Sequence, residues 1–557
     1  YSEHRLCRCN RNQVFNIEIQ SDDRTRWPKT RRELLCAAGS GCGGGAILVW
    51  SQAEKFRKEP FSERTMHAYF SSLLLGLYLT AAAGLLLYGL NCYVMIALFA
   101  RKRGEAAKRL ARFFGGPQGR VPAGGAPVVT TQLPIYNEIN VAERVIRAAC
   151  AMTYPAGRHQ IQVLDDSTDE TRRIVDRVAS QCRAGGCDVT VLRRSRRTGF
   201  KAGALAEGMA AARGELLAVF DADFVPPTDY LEKSVPFFLA DPAVGLVQAR
   251  WGHLNRTRSL LTRAQAIGID GHFMVEQAAR NWNGLYMNFN GTAGIWRRSA
   301  VIDAGGWQSD TLTEDMDLSY RVQLAGWKTV FLPDLVVPAE IPEDVAAFKS
   351  QQFRWAKGSM QTAVKLLPSV FRARLPVFVK IQAFFHMTHY LVHPLMAALA
   401  LLALPVLLWV HLPLPAAVFA AVAAGLVFSL AAPSALYLTA QRAAHPDWGR
   451  RMLCLPGLVA VGVGIALSNT RAVAEALAGK KSPFVRTPKR GSQPIRRYRI
   501  GFSAMAVGEI LFGLYCAASF GVYLAAGKYL VGPFLGLYAA GFLFVGLLTA
   551  AQRAWGR

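Results

Sequence analysis

The sequence predicts an α/β domain, built on a doubly wound and mostly parallel sheet, set between membrane-spanning helices. Three observations carry that expectation. Between about Ala126 and Val379, short β-branched runs ending in polar residues alternate with helical stretches, the pattern of a sheet whose ligands bind beyond the carboxyl ends of its strands. Long uncharged apolar runs flank this region on both sides, which is the signature of spans. Basic residues crowd beside those runs and so set their orientation.

The composition agrees. The chain has 557 residues, 64 of them basic against 38 acidic, for a net charge of +26. A soluble chain so basic would suggest a nucleic-acid binder, but 52% of the residues are apolar and mean hydropathy is +0.19. These values exclude disordered, collagenous and disulfide-rich classes as well. The ten cysteines form no CxxC pair, so reduced or buried thiols are expected in place of zinc or redox chemistry.

Residues 1–66 receive no function; within them Leu34 to Ala53 is uncharged but glycine-rich, a weak span at best. Residues 67–100 form the first span, since Tyr69 to Ala100 carries no charge and, at about 1.5 Å per residue, crosses a hydrocarbon core of about 30 Å. Residues 101–125 are a basic linker: Arg101 to Arg120 holds seven basic residues and one acid, which places the next segment of the chain in the cytoplasm.

The soluble domain occupies residues 126–380. Its expected strands are Val128 to Leu133, Gln160 to Leu164, Asp188 to Leu192 and Leu216 to Phe220, with helices such as Val141 to Met152 and Lys201 to Arg213 between them. Apolar runs return at Met387 to Trp409, Pro415 to Thr439, Gly501 to Ala526 and Tyr529 to Ala550. Residues 381–440 therefore hold an interface helix and two spans, and residues 501–557 two more with a short cytoplasmic tail. Met452 to Leu467 is apolar enough to cross, but Lys480 to Arg499 has eight basic residues and no acid. A cytoplasmic location for that stretch requires Met452 to Gly479 to lie along or dip into the membrane without crossing, so residues 441–500 are assigned to the interface.

Candidate chemistry sits just after the strands. Asp221-Ala222-Asp223 ends one run; on an extended strand residues two apart face one side, and paired carboxylates suit a hard divalent ion gripping a diphosphate. Asp165-Asp166 tips a second strand in the same way. Leu133 to Glu138 closes the first strand with groups able to stack on and hydrogen-bond a base, or with an ordinary turn capped by Asn137. Arg193 to Arg197 leads into Gly199-Phe200-Lys201, where glycine, Lys201 and a helix amino terminus favour phosphate; no P-loop sequence occurs. Thr313-Glu314-Asp315-Met316-Asp317 opens a helix, either as a cap with dipole-complementing acids or as a general base for an acceptor hydroxyl. In Gln351-Gln352-Phe353-Arg354-Trp355 an indole offers a face to a sugar ring and Arg354 a fork for phosphate.

In this order, the motifs resemble the processive family 2 glycosyltransferases of the cellulose synthase superfamily, and most closely the cellulose-synthase-like A (glucomannan mannosyltransferase) group, over about Pro127 to Lys489. The resemblance implies a cytoplasmic GT-A-type domain embedded between transmembrane helices. It also implies inverting, processive polymerisation of a β-linked mannan, glucan or glucomannan from GDP-mannose or UDP-glucose, with translocation of the growing polysaccharide. By the same resemblance Pro134, Tyr136, Glu138, Asp166, Lys201 and Asp221 bind the donor nucleotide, while Asp221 and Asp223 hold Mg²⁺ or Mn²⁺ and Asp315 is the catalytic base. Phe289, Asn290, Gly291, Thr292 and Trp355 bind the acceptor, and Gln351 and Arg354 the diphosphate. Phe484-Val485-Arg486-Thr487-Pro488-Lys489 resembles a gating loop through Phe484, Thr487 and Lys489, with Arg486 where that loop has valine. Ser167 follows Asp165-Asp166 where bacterial cellulose synthases carry glycine, and no cyclic-di-GMP-binding domain is expected after Ala550.

The implied location is a multi-pass membrane protein of a bacterial inner or plasma membrane, with membrane lipid around it and no nucleic-acid partner. A homo-oligomer or an export partner is left undetermined. Two alternatives compete: a non-processive transferase that glycosylates a membrane lipid, and a non-catalytic scaffold that retains the fold.

Overall fold

The computed structural model of the chain describes residues 7–9, 13–15, 61–122, 124–410, 416–482, 491, 504–529 and 531–555. The glycine-rich Leu34 to Ala53 stretch and the gating-like residues Phe484, Thr487 and Lys489 lie outside the described residues. The chain divides into two compact units, Tyr1–Phe70 and Ser71–Arg557. In the first, Cys7–Cys9 pairs antiparallel with Gln13–Phe15. The described residues 61–70, the start of the helix Phe61–Gly115, also fall in the first unit, and the second contains the rest.

Its centre is a seven-stranded sheet: β1 (Val129–Ile135), β2 (His159–Asp165), β3 (Asp188–Leu192), β4 (Leu216–Val219), β5 (Val244–His253), β6 (Gly294–Arg297) and β7 (Lys328–Ala339), in the order β3-β2-β1-β4-β6-β5-β7. The four expected strands are all present and pair in parallel. The second half departs from the expected pattern: β6 runs antiparallel to both β4 and β5, whereas β5 and β7 are parallel, so the sheet is mixed. β5, β6 and β7 leave weak sequence signals. β6 is four residues long, and β7 carries Pro333 and Pro338, which an edge strand tolerates. Where β5 shifts register against it, between Ala249 and Arg250, the Arg250 Nε donates to the Pro333 carbonyl at 2.7 Å.

The first half is held by more than its backbone ladder. β1 and β2 bury polar side chains as matched pairs, with Thr130 Oγ1 donating to Gln160 Oε1 at 2.8 Å and Gln132 Nε2 to Gln162 Oε1 at 3.1 Å. A buried polar group is tolerated when it is paired, and here the pairing also fixes the register. On one face, Val145, Ile146 and Ala149 of Ala142–Cys150 and Val175, Val178 and Ala179 of Thr171–Ala184 join the core. Chain order runs from β1 out to β3 and then returns to β4 on the other side of β1. The gap between the carboxyl ends of β1 and β4 is therefore the switch point at which such sheets bind ligands.

Five helices among the described residues are long and apolar enough to cross a membrane: Met66–Gly115, Val377–Trp409, Ala420–Ala444, Ala504–Ala525 and Gly532–Gln552. They match the five long apolar runs Tyr69 to Ala100, Met387 to Trp409, Pro415 to Thr439, Gly501 to Ala526 and Tyr529 to Ala550. The disputed stretch is a pair of helices, Trp448–Gly464 and Ala466–Leu477, bent by 43° at the break. The helix Val345–Arg372 packs against this membrane part, and its Lys349 makes a 2.6 Å ion pair with the fully buried Glu509 of Ala504–Ala525. A carboxylate inside an apolar span is costly unless paired, so this bond fixes the helix against that span.

Candidate active site

A cleft of about 190 Å³ opens at the switch point. Pro134, Tyr136 and Glu138 line it from the end of β1. Asn137 takes a left-handed φ of 54°, a conformation Asn tolerates better than most. It does not cap a helix: its N–H donates to Ser167 Oγ at 2.9 Å and its Oδ1 accepts from Thr168 N at 2.8 Å, which ties the loop after β1 to the loop after β2.

The two aspartates that tip β2 have different surroundings. Asp165 is buried beneath the cleft and accepts from Arg193 Nε at 2.8 Å and Ser167 N at 3.0 Å. Asp166 lines the cleft, where Arg194 grips it with two bonds of 3.0 and 2.5 Å. Further along the same run, Arg197 lies over the ring of Tyr136 at 3.5 Å, so one face of that ring already carries a cation.

Lys201, expected to meet phosphate, has its ammonium 2.5 Å from Asp221 Oδ1 and 2.8 Å from the Gly291 carbonyl. Burial works against the charge, but Asp221, Glu314 and Asp315 outweigh it and raise Lys201 above the ordinary lysine value. The strand before Asp221 ends at Val219, so Asp221-Ala222-Asp223 is a turn, not an extended strand, closed by Phe224 N donating to the Asp221 carbonyl at 3.0 Å. That turn, and not strand alternation, brings both carboxylates to the cleft. The Asp221 side chain is 35% exposed there. Two carboxylates on one turn fit a hard cation that takes its remaining ligands from water and phosphate.

Opposite stands the helix Glu314–Leu324, with Asp315 in its first turn. Thr313 makes no side-chain cap; its hydroxyl lies 3.2 Å from that of Thr362. Asp315 opens on the cleft, yet the protein packed behind it and the adjacent Glu314 push its carboxyl up to about 7, and Glu314 is raised too by burial. Val345–Arg372 reaches this point through Gly358: a Cβ there would lie 2.8 Å from Thr313 N, so only glycine permits the approach. Gln351, Arg354 and Trp355 consequently line the same cleft. Burial lowers the Arg354 guanidinium, although Glu314, Asp221 and Asp315 pull against that.

The segment Phe289 to Gly294 forms the remaining wall, and the expectation for it needs correcting. Asn290 and Gly291 line the cleft. Phe289 and Thr292 are fully buried and have no surface to offer a sugar. The Phe289 ring packs edge-on against Trp296 at 5.4 Å, and Thr292 Oγ1 accepts from Asp221 N at 2.9 Å. Gly291 has a φ of 82°, and a Cβ on it would sit 2.9 Å from Asp315 Oδ2, so glycine is required twice over. Trp251, His253 and Glu340 also line the cleft. Sequence reading missed them because they sit on or beside β5 and β7, the strands with weak signals.

Residues 127–358 match the family model described as glycosyltransferase like family 2. Among curated relatives, the probable glucomannan 4-beta-mannosyltransferase 11 of Arabidopsis thaliana is 35% identical over 441 residues, covering 76% of this chain and 96% of that protein. The probable glucomannan 4-beta-mannosyltransferase 10 of the same plant is 42% identical over 275 residues, 48% of this chain and 50% of the relative. The corresponding protein 7 of Oryza sativa subsp. japonica is 43% identical over 255 residues, 45% of this chain and 44% of the relative. Apart from the first of these, the chain spans about half the length of the curated relatives it matches. A solved mannosyltransferase from Pyrobaculum calidifontis, in complex with GDP-Man and Mn²⁺, aligns with TM-score 0.41 and 23% identity over 70% of this chain and 99% of its own.

Proposed function

The chain belongs to the family of the glucomannan 4-beta-mannosyltransferases, cellulose-synthase-like members of glycosyltransferase family 2, and from that premise we propose that it is a membrane-embedded enzyme polymerising a β-linked mannan or glucomannan. The donor in this reading is a nucleotide sugar, GDP-mannose ahead of UDP-glucose, since the relatives are named for mannosyl transfer. One observation carries it: Asp221, Asp223, Asp315, Arg354 and Trp355, drawn from three separate segments, line one cleft at the switch point.

In the proposed reaction an acceptor hydroxyl attacks the anomeric carbon of the donor from the face opposite the phosphate. The new glycosidic C–O bond forms as the bond to the diphosphate breaks, the nucleoside diphosphate leaves, and the hydroxyl proton passes to Asp315. A carboxyl raised to about 7 suits that task, because a base is most effective when its own value is near the working pH. Arg354 and Lys201 stand where negative charge develops on the leaving diphosphate, the kind of preorganised stabilisation that contributes most to such reactions. Asp221 and Asp223 would hold Mg²⁺ or Mn²⁺, which when bound offsets phosphate charge. Trp355 supplies an apolar face for the acceptor ring, with Asn290 and Gly291 beside it.

The long apolar helices make this a multi-pass membrane protein. The basic stretches Arg101 to Arg120 and Lys480 to Arg499 support a cytosolic catalytic domain. The bent pair breaks by 43° between Trp448–Gly464 and Ala466–Leu477, and its second arm has 12 residues, about 18 Å at about 1.5 Å each, which supports the non-crossing reading. The expectation of a bacterial membrane finds no support, since the named relatives come from Arabidopsis thaliana and Oryza sativa.

The test is donor choice. Full-length protein purified in detergent is given radiolabelled GDP-mannose and UDP-glucose in separate reactions with divalent cation. Label entering a β-mannanase-sensitive product from GDP-mannose is the expected result. Label entering only from UDP-glucose would overturn the donor assignment, and transfer from neither donor would overturn the activity.

A further inference from the structure

Behind the wall segment Phe289 to Gly294 lies a hydrogen-bonded chain whose direction can be read from one end to the other. It begins at the Asn288 carbonyl, which can only accept, so Gln277 Nε2 at 2.6 Å must donate. The same Nε2 also donates to Asn290 Oδ1 at 2.6 Å. The other side of the Asn290 amide, Nδ2, is then a donor, and it meets His272 Nε2 at 2.9 Å. That ring nitrogen must therefore accept, which leaves the proton on Nδ1, where it is donated to Glu276 Oε2 at 2.9 Å. The arrangement holds only while the His272 ring is neutral, since a protonated imidazole donates from both nitrogens.

The backbone is shaped for this contact. Residues His272–Gln277 form a π-helical turn between the helices Leu260–Gly271 and Ala278–Trp282. In an α-helix, residues five apart point about 140° away from each other. A π-turn, closed by i to i+5 hydrogen bonds and wound more loosely, brings them back toward one face, and so His272 and Gln277 both reach Asn290. A second amide completes the suspension: Gln248 Oε1 accepts from Asn290 N at 3.2 Å while its Nε2 donates to the Thr292 and Ala293 carbonyls at 3.1 and 3.0 Å. The segment so held carries a strained residue, Ala293 at φ 55°, a conformation that persists in a non-glycine residue only where neighbours enforce it.

We propose that His272 is a positioning residue of the acceptor site: in its neutral form it holds the Asn290 amide, and through it the Gly291 turn, against Lys201 and Asp315. The proposal rests on the acceptor role assigned to Asn290 in the proposed function. Glu276 fixes the tautomer by accepting from Nδ1 at 2.9 Å; burial works against its carboxylate, but the bond from His272 and the nearby Arg280 and His389 keep it below the usual range. The groups facing His272 are Glu276 on its own helical run, Asn290 from the wall, and His386 and His389 from the segment alongside. Arg280, Cys92, Tyr390 and Tyr437 face Glu276 in turn.

The experiment uses full-length protein in detergent, GDP-mannose and an added β-linked manno-oligosaccharide. His272→Ala should raise the KM for the oligosaccharide about tenfold, the loss of one well-placed hydrogen bond, and leave the KM for GDP-mannose unchanged. His272→Gln offers a neutral acceptor near the position of Nε2 and should keep the wild-type value. An unchanged oligosaccharide KM in His272→Ala, or a His272→Gln value as high as that of His272→Ala, overturns the proposal. If wild-type protein transfers no sugar, the transferase reading fails instead. Calorimetric binding of the same oligosaccharide then still decides the role of His272, with about tenfold weaker binding by His272→Ala for it and equal binding against it.

Discussion

The two sides of the cleft are held by different chemistry. On the side built from β1 to β4, acids are locked by cations: Asp165 by Arg193, Asp166 by Arg194 and Asp221 by Lys201. On the other side, apart from the Lys201 bond to the Gly291 carbonyl, the wall hangs from the amides of Gln248 on β5 and Gln277 on the π-turn, the His272 ring, and the hydroxyl of Ser319 on the helix Glu314–Leu324, whose Oγ accepts from Phe289 N at 2.7 Å. The proposed ligands differ in the same way. A nucleoside diphosphate brings charge, and the site that receives it has its own charges balanced beforehand. A sugar chain brings only hydroxyls, and it meets a surface shaped by neutral bonds.

The largest break in this comparison falls where the two sides meet. Asp315→Asn should lower turnover by about a thousandfold, within the range assigned to a positioned general base, while nucleotide binding measured by calorimetry stays at the wild-type level. Turnover within about tenfold of wild type would remove Asp315 from the role of base. The same residue sets a pH dependence. Its folded value, about 7, lies above the ordinary 3.8, so the activity that needs the carboxylate should fall as pH drops below about 7. Stability has the opposite sign: between 3.8 and about 7 the folded state holds more protons than the unfolded one, so stability is lost as pH rises through that window. Asp315→Asn should therefore unfold at a higher temperature than wild type at about pH 8, with little difference at about pH 4.

On the charged side, Arg194→Ala leaves Asp166 with only the longer 3.8 Å contact to Arg197, in a site where the Arg194 and Asp166 side chains are both only 8% exposed. The cost should be about 3 kcal/mol of stability, as for removal of one partner of a buried pair, read from denaturant unfolding. The KM for the donor should rise and that for the acceptor should not. Equal change in both would erase the division between the two sides.

On the neutral side, Gly291→Ala places a Cβ at a positive φ and 2.9 Å from Asp315 Oδ2. It should cost about 1 to 3 kcal/mol in stability and act on acceptor KM and turnover together. A donor-only effect would contradict the assignment of this wall.

Legibility in the sequence divides along the same line. The charged side announces itself: Asp165-Asp166, Asp221-Ala222-Asp223 and the Arg193 to Lys201 run lie directly after strands whose β-branched runs stand out, and all four of those strands formed. The five apolar spans were equally plain, because length and absence of charge suffice to define them. The neutral side was nearly silent. β5 to β7 are short, proline-bearing or shifted in register, and a π-turn has no periodic signature. His272 and Gln248 carry no motif, so nothing in one sequence links them to Asn290. Phe289 and Thr292 were assigned by resemblance to the right segment, but their burial depends on which way each residue of a strained turn points. The strand alternation invoked for Asp221 and Asp223 gave the right location for the wrong reason, since a turn brings them together.

The central claim is that this cleft extends a β-linked polymer. The most direct measurement is the length distribution of products made by purified full-length protein from radiolabelled GDP-mannose at low conversion. Long β-mannanase-sensitive chains beside unused donor, with few short intermediates, are the predicted result. A single labelled mannose on lipid, with no longer product at any time, would contradict it.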